Sequence, residues 1–174
     1  GQGPKGYNQE SNTHINCYTD KTYYYVNVGS GQGKRIRPLS QPSGSVDLAI
    51  DTFHDYKFHE KDIHNIGTIG RQWFGERFNL ESEQAFNFNF PNLVTSEPIL
   101  IKVYAAAIAS NSTFMDVKIN NASTNNLRFG AVSSSAIASG AFYSGNVDVA
   151  TNNVKVTLTY DNGGNPSALG YLDY

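Results

Sequence analysis

The chain has 174 residues, of which 16% are charged and 13% aromatic, with a formal net charge of −2 and a pI near 6.1. A chain of this length fits one domain and buries roughly two thirds of its unfolded surface, so a single core suffices without a disulfide or metal staple. The near-neutral balance and the lack of any Lys/Arg run exclude nucleic acid as the main partner.

Sparse charge, abundant Gly, Ser, Asn and Thr, and many aromatic residues suit an all-β domain with frequent turns. The single cysteine, Cys17, rules out an internal disulfide and a thiolate metal cage; in the strand-like HINCY it reads as a buried, inert thiol. No apolar run approaches the roughly 18 residues of a membrane-spanning helix. GQGPKGY at the start and SALGYLDY at the end are abrupt and read as the ends of a segment cut from a longer protein.

Residues 1–12 form a polar lead-in. Residues 13–18 and 22–28 flank TDK as a hairpin, with Tyr23, Tyr24 and Tyr25 placing rings on both faces. GSGQG turns the chain, and Pro38 and Pro42 forbid the helix that a phosphate-binding loop would need. SVDLAIDTF at 45–53 alternates, with Val46, Leu48 and Ile50 on one face, and predicts a half-buried strand. Within KFHEKDIHNIGTIGRQWFGERF, residues 57–78, a helical turn is expected over 58–66. There Phe58, Asp62 and Ile66 share a face, and Gly67 and Gly70 end the turn.

EQAFNFNF then alternates strictly, with Phe86, Phe88 and Phe90 on one side and Asn87 and Asn89 on the other. EPILIKVYAAAIA and STFMDVKIN, separated by SN, read as a hairpin pair, and LRFGAV, GAFYSGNVDVA, NVKVTLTYDNGG and SALGYLDY continue the theme. The pattern predicts roughly nine to eleven short strands in one domain over 1–174. The expected fold is an antiparallel β-sandwich, jelly-roll-like (galactose-binding-like), with one long structured loop or short helical turn.

Few side chains suggest chemistry. His54, His59 and His64 recur every five residues, a step that alternates faces of a strand and turns about 140° on a helix, so no metal site is expected from them. Asp161, Asn162 and Asn165 in TYDNGGNP offer oxygens to calcium, but DNGG is the stronger turn sequence. GxSxG and HExxH are absent, and Asn111 and Asn121 head sequons that matter only in a eukaryotic secretory route. No cofactor is expected.

The densest chemistry surrounds the only tryptophan. Arg71, Glu76 and Arg77 flank Trp73 and Phe74, an arrangement that has the makings of a sugar platform with bidentate polar partners. The structural reading is the stronger one: Glu60 or Glu76 pairs with Arg71, while Trp73 anchors the loop to the sandwich.

GQGP, CYTDKTYYYVNVG followed by GKRI, FHEKD, GRQWFGERF, FPNLVTSEPILIKVYAAA and SALGYLDY, in that order, resemble a known family over nearly the whole chain. It is the gingipain-like signal peptidase, or sortase, of the type IX (Por) secretion system of Bacteroidetes, in the region before its catalytic domain. GRQWFGE and YLDY are the more specific stretches. The resemblance implies a parent cysteine peptidase at the extracellular face of the outer membrane that removes the C-terminal sorting domain from secreted cargo. This segment would be a non-catalytic accessory domain, because the family's nucleophilic Cys and its His lie downstream. Its implied partners are the downstream catalytic domain of the same chain, an outer-membrane barrel protein and the cargo. Glu60, Arg71, Trp73 and Glu76 inherit an organising role only. The alternative is a carbohydrate-binding module of a secreted or surface protein, which an exposed Trp73 would suit.

Overall fold

The computed structural model describes residues 25–41, 43–45, 48–68, 72–134 and 136–174. Its strands form where side chains alternate between apolar and polar, because a period of two puts one set of residues on each face of the pleat. Eight follow in chain order: β1 (Arg77–Phe78), β2 (Glu83–Asn89), β3 (Ile99–Ile108), β4 (Thr113–Ile119), β5 (Ala122–Phe129), β6 (Ser139–Val147), β7 (Asn153–Asp161) and β8 (Leu169–Leu172). They build two four-stranded antiparallel sheets, in the orders β1-β8-β3-β6 and β2-β7-β4-β5.

The core lies between the sheets. Phe78, Met115, Val117, Phe129, Val154 and Leu158 are fully buried, and Phe86 and Phe88 of the edge strand β2, with Phe90 just after it, pack against them. Small residues set the spacing where rings cross between the layers. Ala105 and Ala107 of β3 face inward, and the Tyr160 ring of β7 lies against Gly170 of β8. The β4–β5 turn puts Asn120 and Asn121 at φ 48° and 71°, left-handed values that asparagine tolerates and primed hairpin turns demand.

The all-β antiparallel sandwich agrees with expectation, and so does the face each residue takes in β2, β3 and β4. Four expectations need correction. The strands expected to form a hairpin across SN, β3 and β4, belong to different sheets, since the loop between them carries the chain across the core. Alternation assigned their faces correctly but cannot assign partners. Leu48 and Ile50 are 74% and 78% exposed in an extended segment that joins neither sheet, so 48–53 is no half-buried strand; Val46 and Asp47 lie outside the described residues. Residues 25–28 are likewise exposed and outside both sheets, and the rest of the expected first hairpin, with Cys17, lies outside the described residues. The helical turn falls at Ile66–Thr68, where Gly67 takes φ 80°, and residues 58–64 are extended. Eight strands, against the nine to eleven expected, are present among the described residues.

A Cβ built on Gly170 would stand 2.9–3.0 Å from three carbons of the Tyr160 ring, closer than carbon atoms pack. Gly170→Ala is therefore expected to cost about 1–3 kcal/mol through overpacking. Urea denaturation checks this, and Gly164→Ala, a left-handed position with open space around it, separates the steric effect from the backbone one.

Candidate functional site

Of residues 57–78, expected to form a long structured connection, the described parts 59–68 and 72–78 make the two arms of an irregular hairpin that widens the first sheet. His64 and Phe74 form an antiparallel bridge, with Phe74 N donating to His64 O at 2.8 Å and His64 N returning a bond to Phe74 O at 2.8 Å. The returning arm then runs into β1 beside the last strand. Gly75 N donates to Leu172 O at 2.7 Å and Leu172 N to Glu76 O at 2.9 Å, so two residues oppose one. This is a β-bulge, and a one-residue slip sends side chains on its two sides to opposite faces of a sheet. Phe78 accordingly enters the main core, while Phe74 packs on the other face of the sheet with Ala106 and Tyr171.

Gly75 is needed at the bulge because a Cβ there would stand 3.0 Å from both Cβ and O of Lys61. The other arm of the hairpin crosses at this point. Its extended backbone turns His59 and Lys61 to one side and Glu60 away from them. Both reach Glu76 Oε1, His59 Nε2 at 2.9 Å and Lys61 Nζ at 2.8 Å, and the Glu76 side chain is only 12% exposed. Burial by itself raises the Glu76 pKa. The hydrogen bonds from Lys61 and His59, together with the positive charge beside it, outweigh that and hold the carboxyl below its ordinary value.

Of the four residues singled out in the sequence, Glu76 is thus at the centre of a cluster, and Glu60 is half-buried one residue from each of its partners. Arg71 lies outside the described residues, so its expected pairing does too. Trp73 is 37% exposed and belongs to neither core cluster; the buried anchor is its neighbour Phe74, 4% exposed. Sequence reasoning missed His59 and Lys61 as the partners of Glu76, because it read this segment at helical period. A period of two over His-Glu-Lys would have shown both on one side.

His59 and His64 also meet aromatic rings. His64 meets the edge of the Tyr171 ring, with centroids 5.8 Å apart, and His59 lies against Phe86 at 4.5 Å. In the 161–165 turn, the side-chain oxygens that calcium would need accept backbone N–H groups instead. Gly163 N donates to Asp161 Oδ1 and Gly164 N to Asn162 Oδ1, both at 2.9 Å, and Ser167 N donates to Asn165 Oδ1 at 3.0 Å. Asn111 locks the turn from the β3–β4 loop, its amide donating to Asn162 O at 3.2 Å while its own Oδ1 accepts from Asn165 Nδ2 at 2.8 Å.

An open groove of about 590 Å³ lies between residues 56–59 and residues 85–88 of β2, with the rings of Tyr56, Phe58, Phe86 and Phe88 and the polar side chains of Lys57 and Asn87 in its lining. Lys57 Nζ stands 5.6 Å over the Phe90 ring and His59 lies on Phe86, so residues 57–59 run antiparallel to β2 along the open side of the sandwich.

No family model and no curated protein matches the chain. Among solved structures, dimeric latent PorU from Porphyromonas gingivalis is similar at a TM-score of 0.53 and 16% identity. The match covers 66% of this chain and 11% of that one, so the chain spans about a tenth of the PorU length. A carbohydrate-binding module, CBM36 in complex with calcium and xylotriose, gives 0.42 at 16% identity, covering 66% of this chain and 89% of that one. The CBM36-1 domain of a multidomain xylanase from the hindgut metagenome of Trinervitermes trinervoides gives 0.39 at 18%, covering 60% and 84%. At these identities the likeness to PorU is one of fold.

Two measurements check the site. Phe74→Ala is expected to cost about 3–5 kcal/mol in chemical denaturation and Trp73→Ala less than about 1 kcal/mol, since only the first empties a buried volume. The folded-state pKa of Glu76 is depressed, so its contribution is present above the ordinary carboxylate value near 4.5 and fades as pH falls through the lower folded value. Glu76→Gln should therefore be less stable than wild type at neutral pH, with the gap narrowing in acid; a gap independent of pH would place the stabilisation elsewhere.

Proposed function

We propose that this chain is a non-catalytic β-sandwich accessory domain of a gingipain-like cysteine peptidase, the signal peptidase of type IX secretion. Its parent works at the extracellular face of the outer membrane. The domain supports the catalytic domain or contacts cargo bearing a C-terminal sorting domain, or a barrel partner, and the resemblance gives Glu60, Arg71, Trp73 and Glu76 an organising role. The observation that carries this reading is that the two more specific stretches of the resemblance, GRQWFGE and YLDY, are neighbours in space although nearly a hundred residues apart. Gly75 N donates to Leu172 O and Leu172 N to Glu76 O, and Gln72 Nε2 donates to Asp173 Oδ2 at 2.7 Å. Motifs shared for a structural reason should meet in this way. The fold likeness to a small part of PorU supports the same reading.

A second reading, a carbohydrate-binding module, is favoured by the partial exposure of the Trp73 indole, since sugar sites present an aromatic face to solvent. Two experiments separate them. The coding sequence beyond Tyr174 should supply a Cys and a His in a gingipain-like context, while this chain alone should cleave no peptide substrate. An unrelated downstream sequence, or cleavage that survives Cys17→Ala, overturns the first reading. Soluble glycans should leave tryptophan emission unchanged; a saturable shift lost in Trp73→Phe would establish the second.

A further inference from the structure

Residues 25–41 take no part in the sandwich. They join no strand or helix, all of them are exposed, and from residue 32 to residue 41 the chain runs without turn or bend. Among the described residues no hydrogen bond joins this segment to either sheet. The Arg35 guanidinium bonds instead to its own backbone, at Gly33 O (3.1 Å) and Lys34 O (3.4 Å). A Cβ built on Gly29 or Gly31 would meet nothing within 4 Å, so the chain just before the basic residues is open on all sides.

Lys34, Arg35 and Arg37, three of the 13 Lys and Arg residues of the chain, lie within this segment. From Thr22 to Val46 the sequence has no Asp or Glu, and among the described residues none of the three makes an ion pair. The other described arginines are held differently: Arg77 lies in β1 opposite Tyr171, and Arg128 in β5 opposite Phe114. A peptidase receives its substrate as an extended strand on both sides of the bond it cuts, so reaching Arg77 or Arg128 requires a ladder to open first. Residues 32–41 need no such opening. Pro38 biases Arg37 towards extended backbone, which keeps the chain beyond Arg35 in the form a peptidase binds. Its ring also obstructs the Arg37–Pro38 bond, because it stands where the leaving amide must fit the cleft. Ile36, on the far side of the Arg35 bond, is fully exposed.

We propose that the bond between Arg35 and Ile36 is a processing site for a peptidase whose primary pocket binds a guanidinium through a carboxylate. Hydrolysis adds one water across the bond: the Arg35 carbonyl carbon takes the hydroxyl, and the Ile36 nitrogen leaves with the proton as a free amine. All eight strands, both core clusters and the ion pairs of Glu76 lie after the cut. Everything before Ile36 is therefore released while the sandwich keeps its ladders and its core.

Limited digestion of the full chain with an arginine-specific endopeptidase, followed by mass spectrometry, tests this. The first cut should fall after Arg35. The product of residues 36–174 should resist further cutting and unfold in urea at the midpoint of the intact chain. Arg35→Gln, a change outside the sandwich, should slow that cut by more than about a hundredfold, since a pocket built to bond a guanidinium rejects a side chain without one. The protein recovered from the cells that make it should begin at Ile36. A first cut after Arg71, Arg77 or Arg128, a product with a lowered midpoint, or a recovered protein still joined across Arg35 and Ile36 would each overturn the proposal.

Discussion

The bulge at Gly75 and Glu76 opposite Leu172 is the constraint on which the rest of the molecule depends. Without it, β1 would continue in register, and Phe74 and Phe78, four residues apart, would both point into the main core. One extra residue separates them. Phe78 fills the space between the sheets, Phe74 covers the outer side of β8 and β3, and the hairpin that carries Phe74 is held across that face. The small residue at the bulge also allows the crossing of Lys61, whose ammonium reaches the carboxylate of the very next residue, Glu76. Backbone irregularity, second core cluster and ionic cluster are one device.

That cluster explains how a buried carboxylate is tolerated at the edge of an aromatic core. Desolvation acts against its charge, and a lysine and a histidine meeting a single oxygen offset it. The arrangement ties the start of the hairpin, where His59 lies on Phe86, to its end at Glu76, so the approach of residues 57–59 along β2 is fixed electrostatically as well as by contact with rings. The exposed indole of Trp73 takes no part in this, which leaves it available to a partner of either proposed kind.

Much of the sandwich is legible in the sequence, for a definite reason. In EQAFNFNF and STFMDVKIN the alternation is strict, and burial of every second residue follows from the pleat. What alternation does not carry is the identity of the neighbour, since an inward-facing row is equally satisfied in either sheet; hence β3 and β4 were paired when they are in fact opposed. Nor does it carry burial itself. Residues 48–56 alternate as well as β6 does and yet remain exposed, because a strand is buried only where another strand or layer receives it. The Glu76 cluster escaped for a different reason: its partners lie two residues apart, and a helical reading of that segment separates them. The residue expected to anchor the loop, Trp73, was the larger aromatic, but the bulge gives that position to Phe74.

The order of strands also says when this sheet can close. Its edge strand β1 bonds only to β8, the last strand described, and β3 takes one of its two neighbours from the same final stretch, with Tyr104 N donating to Tyr174 O and Asp173 N to Tyr104 O. Contacts spanning so much chain carry a high loop-closure cost and form late. As the polypeptide emerges from a ribosome, or crosses a membrane amino end first, the sheet formed by β2, β7, β4 and β5 can assemble before its partner. The final strand acts as a latch: until it arrives, β1 has no strand to bond to, and the arm of the hairpin that carries Phe74 and Phe78 is not tied to the sheet.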